Sequence, residues 1–103
     1  MSIKKSPEID ELFRAILSVE SIEDCYHFFE DACTIKEVQE ISMRFLVARQ
    51  LDAGKNYIEV NQETGVSTAT ICRVNKCLNY GNGGYRTAID RLKAGEKDSD
   101  DNF

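Results

Sequence analysis

The sequence predicts an all-α fold. Apolar residues recur at intervals of three and four along most of the chain, and polar side chains suited to capping stand just ahead of each such run. No sustained alternation and no hairpin dipeptide between apolar runs signals a strand. The 103 residues suffice for one small domain, since a single core usually takes about 100–150. An apolar content of 42% suits a globular chain, and no window approaches the roughly 20 apolar residues of a membrane helix. Met1 to Pro7 carries charge with no apolar run behind it, so no secretory signal is expected and the cytoplasm is the expected location.

The elements follow in order. Ser6-Pro7-Glu8 opens a helix with a hydroxyl cap, a proline whose φ is already helical and an acid favoured by the dipole. Ile9, Leu12, Phe13, Ile16 and Leu17 make its apolar stripe. Ser21 restarts a helix whose stripe is Ile22, Cys25, Tyr26, Phe29 and Cys33. Thr34-Ile35-Lys36-Glu37 is a capping box, with Cys33 and Val38 spaced as its hydrophobic staple. The helix beyond it carries Val38, Ile41, Phe45, Leu46, Ala48 and Leu51 and stops at Gly54. That face is too wide for a solvated helix and belongs at the centre of the fold or in a subunit contact. Asn56 opens a short helix to about Glu63, with Ile58 or Val60 facing inward. Ser67 caps the next, which runs to about Asn79, with Val66 and Ile71 as the staple pair. A last amphipathic helix carries Tyr85, Ile89 and Leu92, and residues 94–103 read as an acidic, disordered tail after a domain spanning 1–93.

Cys25, Cys33, Cys72 and Cys77 form no CxxC pair and are expected to be buried or half-buried free thiols. His27 beside Cys25 and Cys33 is a weak metal constellation, so no metal and no cofactor is expected. The net charge of −5 argues against nucleic acid only until its distribution is considered. Residues 1–33 hold three basic and eight acidic side chains, whereas 34–93 hold nine basic and six acidic. Within 64–93 stand Arg73, Lys76, Arg86, Arg91 and Lys93 against Asp90 alone.

That basic stretch overlaps the most informative segment, YIEVNQETGVSTATICRVNK at residues 57–76. A short helix, a glycine-centred turn and a capped second helix are the outline of a helix-turn-helix, here about residues 56–79. Val60, Val66, Ile71 and Val74 are the apolar positions that lock its two helices. Ile71, Val74 and Leu78 share one face of the second helix, while Ala69, Arg73 and Lys76 point the other way. Thr68, Ala69 and Thr70, just past the Ser67 cap, sit in the turn that reaches base edges, and Arg73 and Lys76 suit phosphates. Plain packing produces the same helix pair in other helical proteins; the local positive charge favours DNA.

Other chemistry finds little support. Asn79-Tyr80-Gly81-Asn82-Gly83-Gly84-Tyr85 follows a helix rather than a strand, so it reads as a cap and hinge instead of a nucleotide loop. Glu37/Glu40 and Glu59/Glu63 have the spacing of solvated helix pairs, and no nucleophile–base pairing emerges. An enzyme is not expected.

Residues 34–85, and above all TGVSTATI followed by RVNKCLNYGNGGY, closely resemble the Trp repressor superfamily and within it the YerC/YecD family of Trp repressor-related bacterial proteins. The resemblance implies a Trp repressor-like multi-helical domain, an intertwined homodimer and a transcriptional regulator whose helix-turn-helix binds double-stranded operator DNA. It places Thr68, Ala69, Thr70 and Cys72 toward the major groove. Arg44 and Arg73 match the two arginines that hold the corepressor carboxylate in the Trp repressor, while Cys77 stands where that protein has a serine and Val74 where a glycine lies against the indole. A branched side chain there leaves no room for the flat ring, so no tryptophan response is expected. Asn61 replaces a commonly small residue and is expected either to loosen the two helices or to project to solvent. The resulting expectation is a cytoplasmic, nucleoid-associated homodimeric repressor of a roughly palindromic operator, without membrane association. A helical protein-interaction adaptor, or a regulator gated by another small carboxylate at Arg44, Arg73 and Cys77, are the alternatives.

Overall fold

Five helices open on a side chain that accepts a hydrogen bond from the amide three residues on. Ser6 Oγ accepts from Ile9 N at 3.2 Å, Ser21 Oγ from Asp24 N at 3.0 Å and Thr34 Oγ1 from Glu37 N at 3.1 Å. Asn56 Oδ1 accepts from Glu59 N at 2.9 Å and Ser67 Oγ from Thr70 N at 3.3 Å. Each such cap contributes about 1 kcal/mol relative to alanine. The Thr34 cap is reciprocal: the Thr34 amide donates to Glu37 Oε1 at 2.9 Å, and this bond from the backbone holds the Glu37 carboxyl below its ordinary range. The resulting elements are α1 Pro7–Leu17, α2 Ile22–Ala32, α3 Ile35–Asp52, α4 Tyr57–Thr64, α5 Thr68–Tyr80 and α6 Gly84–Asp101. The computed structural model describes residues 2–101, the side chains of 97–101 aside, and contains no strand among them.

The chain forms two compact units, Met1–Val38 and Gln39–Phe103. In the first, α1 and α2 are strongly amphipathic, yet neither contains a buried residue. Leu17 is 84% exposed, Ile22 77% and Ile35 76%. Phe28 and Phe29 meet edge to face with centroids 5.4 Å apart.

The second unit holds the core. Val47 and Ala48 of α3, Val60 of α4, Ile71, Val74 and Leu78 of α5 and Ile89 of α6 are buried together. Phe45, Leu51, Tyr57, Val66 and Tyr85 pack on them from the sides. Of the two inward candidates on α4, Val60 is fully buried and Ile58 lies in solvent. Burying each large aliphatic side chain contributes about 1.5–3 kcal/mol, so this cluster is what holds α3 to α6 together. The wide apolar face expected of α3 is divided: Ala48 is inside and Phe45 and Leu51 pack on the core, whereas Val38, Ile41 and Leu46 are exposed, and Val47, outside the expected set, is fully buried.

Two expectations need correcting. Cys33 and Cys72 are half-buried as expected, but Cys25 and Cys77 are exposed: α2 buries none of its residues, and Cys77 is not among Ile71, Val74 and Leu78, the residues that α5 buries. The last helix also extends beyond the 93/94 boundary, since α6 runs to Asp101. Ala94 and Glu96 favour helix, Gly95 costs only about 1 kcal/mol, and Arg49 Nη2 donates to Glu96 Oε1 at 3.1 Å. Asn102 and Phe103 lie outside the described residues.

α3 ends in paired bonds that turn the chain sharply toward α4. Lys55 N donates to Gln50 O at 3.2 Å and Gly54 N to Leu51 O at 3.0 Å, with Gly54 at φ +93°. This is the Schellman arrangement, which satisfies two orphan carbonyls of α3.

Candidate nucleic-acid interface

The turn between α4 and α5 is built from its own polar atoms. Gly65 adopts φ +73°, a left-handed backbone that a side chain would strain even though no atom stands near its missing Cβ. Its amide donates to Asn61 O at 2.8 Å. Thr64 Oγ1 donates to Val60 O at 2.7 Å and accepts from Val66 N at 3.1 Å. Asn61 is exposed, the second of the two outcomes expected for it, and its Nδ2 also donates to Val66 O at 2.8 Å, fastening the exit of the turn to α4. Asn61→Ala should therefore lower stability by about 0.5–1.5 kcal/mol in a denaturant titration, the usual worth of one such bond.

Beyond this turn, α5 has two distinct faces. Ile71, Val74 and Leu78 are buried, while Ser67, Thr68, Ala69, Arg73 and Lys76 are exposed. Thr70 and Cys72 are half-buried at the edge between the faces. Ser67 Oγ donates to Thr70 Oγ1 at 3.1 Å, which leaves the Thr70 hydroxyl proton available to another acceptor. Arg73 and Lys76 form no ion pair among the described residues. Three small side chains and two unengaged cations thus share the outward surface of one rigid helix.

The remaining candidates are less grouped. Arg44 is half-buried on α3 and reaches Glu40, one turn back, at 4.0 Å. Cys77 is exposed on α5, and Val74, one residue after Arg73, is only 2% exposed. No group of three His, Cys, Asp or Glu among the described residues is placed to hold a metal ion.

The local excess of positive charge is smaller than the sequence suggests. Arg86 Nη1 lies 2.7 Å from Asp52 Oδ1 and 3.2 Å from Asp90 Oδ1, and Lys93 Nζ meets Asp52 Oδ2. Asp52 was not apparent as a partner because it ends α3, outside the segment in which the cations cluster. The Lys93 ammonium and then the Arg86 guanidinium hold its carboxyl below the ordinary value of 3.8. A carboxyl depressed by folding adds stability above its unfolded value and loses it as pH falls through the folded one. Thermal midpoints measured from about pH 6 down to 2 should accordingly fall more steeply below about pH 4 for this protein than for Asp52→Asn.

The family model of the Trp repressor protein matches residues 7–93. The chain belongs to the Trp repressor family. This is a family of DNA-binding regulators rather than enzymes. The uncharacterized protein YerC of Bacillus subtilis (strain 168) is 50% identical over 95 residues, covering 92% of this chain and 91% of YerC. A crystal structure of a TrpR-like protein from Eubacterium eligens superposes with a TM-score of 0.83 at 47% identity, over 86% of this chain and 92% of that one. A Trp repressor candidate from Staphylococcus aureus gives a TM-score of 0.83 at 45% identity, over 86% and 89%. The Trp repressor-like fold is therefore common to this chain and those two structures, and no helix among the described residues is long and apolar enough to cross a membrane.

Proposed function

We propose that this Trp repressor family member is a cytoplasmic, nucleoid-associated transcriptional repressor that binds a roughly palindromic operator as a homodimer. The outward face of α5 carries the reading: Thr68, Ala69 and Thr70, flanked by Ser67 and Cys72, meet base edges, and Arg73 and Lys76 meet phosphates. Arg91 forms no ion pair among the described residues and adds positive charge on α6, whereas Arg86 and Lys93 are already engaged by Asp52. The family match over residues 7–93 supports residues 1–93 as the functional domain.

Dimerisation is supported by the apolar side chains that a single copy leaves in water, among them Leu17, Ile22, Ile35 and Ile41. Pairing two chains buries such faces and sets two recognition helices about 34–36 Å apart, one turn of duplex. Buried Val74 supports the absence of a tryptophan response, since its branched side chain already fills its site. Arg44, Arg73 and Cys77 remain the residues through which a different small carboxylate would act.

A mobility shift with genomic fragments at low and moderate salt tests this, with selective retention expected and light scattering expected to give two copies. Thr70→Val then tests base reading. The Ser67 cap uses the backbone amide of Thr70 and survives the change, so the fold should persist. Discrimination between operator and random duplex should fall by about 1 kcal/mol or more. Unchanged selectivity would remove base reading from that turn.

A further inference from the structure

We infer that Asp52 is a positioning residue of the DNA-binding head: by joining Arg86 and Lys93 it closes residues 53–85 at their base and fixes the direction in which α5 is presented. The inference rests on the DNA-binding function proposed above. Asp52 is the last residue of α3, Arg86 is in the first turn of α6, and the whole helix-turn-helix lies between them. A single carboxylate, its side chain only 10% exposed, thus ties the chain entering the head to the chain leaving it.

The tie has a register. Arg49 and Asp52 share one face of α3, and Arg86, Lys93 and Glu96 share one face of α6. Arg49 pairs with Glu96 and Asp52 with Lys93, so a step of three forward on α3 matches a step of three back on α6. Sliding or rotating either helix would set Arg49 against Lys93 or Asp52 against Glu96. The apolar core beside it is less selective of register, since the hydrophobic driving force is non-directional and orientation there is set by shape alone. Stability alone does not account for Asp52. An acid at the C-terminal end of a helix opposes the dipole, and desolvation offsets part of what the two ion pairs contribute to stability. What they supply is geometry.

The test compares the full-length protein with Asp52→Asn and Asp52→Glu on two duplexes, one selected from the source genome by the unaltered protein and one random duplex of equal length. Asp52→Asn should weaken binding to the selected duplex about three- to tenfold, the range expected when the two partly exposed ion pairs of Asp52 are lost. Binding to the random duplex should stay within about twofold with an unchanged salt slope, because no phosphate contact is removed. Asp52→Glu, which keeps the charge, should hold selected-duplex affinity to within about twofold. Amide exchange should quicken across residues 57–80 in Asp52→Asn and remain as it was in α3.

Equal affinity of Asp52→Asn for the selected duplex overturns the inference. So does a gain on random duplex with a steeper slope, which would mean that freed Arg86 and Lys93 bind phosphates. A loss in Asp52→Glu as large as in Asp52→Asn also overturns it. Should Asp52→Asn fail to fold, Lys93→Gln, which keeps the Arg86 contact, is read by the same outcomes. Failure of the unaltered protein to select any duplex overturns the DNA-binding function itself, and this inference with it; selectivity that survives Asp52→Asn overturns the inference alone.

Discussion

Ile71→Ala should lower the stability of the protein by about 2–5 kcal/mol, the range for truncating a fully buried aliphatic side chain and leaving a cavity. Ile71 is 0% exposed and is among the largest side chains at the centre of the cluster that joins α3, α4, α5 and α6. For a domain of this size the thermal midpoint followed by circular dichroism should drop on the order of 10–20 °C. Ile58→Ala is the control. Ile58, in the first turn of α4, is 69% exposed, so its loss should cost less than about 0.5 kcal/mol. Equal effects of the two changes would contradict the described packing.

The second large effect concerns DNA. Replacing Arg73 and Lys76 together by alanine should weaken binding to operator and to random duplex alike, by about 100-fold or more at moderate salt, with little change in thermal midpoint. Neither side chain is buried or paired among the described residues, so removing them takes nothing from the core. Each phosphate contact contributes about 0.9 to the slope of log affinity against log salt, so Lys76→Ala alone should reduce that slope by about one for each copy engaged. An unchanged slope would place the cations away from the duplex. Arg86→Ala, by contrast, should leave the slope alone, because Asp52 and Asp90 already hold that guanidinium and keep its pKa raised.

What the sequence makes legible is what is settled within a few residues. The caps at Ser6, Ser21, Thr34, Asn56 and Ser67 all involve a side chain and an amide three positions on, so the residue types alone announce them. The left-handed turn at Gly65 and the inward set Ile71, Val74 and Leu78 follow in the same way from glycine chemistry and helical period. The ion pairs of Asp52 were not legible, because 34 and 41 positions separate it from Arg86 and Lys93 and charge carries no periodic signal across such gaps. Counting cations within one segment therefore overstated the charge available there. The bond of Asn61 was not legible for a different reason: an exposed asparagine on a helix looks like any solvated residue until the backbone it bonds is in place. The solvent-facing Cys25 and Cys77 show that an apolar residue type on a helix does not fix its burial.

The bond from Asn61 to the Val66 carbonyl, together with the left-handed Gly65, fixes how many residues separate the two helices. One residue inserted or deleted between them would turn everything downstream by about 100° around the α5 axis. Ala69 and Arg73 would then swing toward the interior and Ile71 toward water. Point changes across residues 61–67 can be absorbed one at a time, but a change of length cannot. Among descendants of this gene, the span from Asn61 to Ser67 should vary in spelling while its length stays constant.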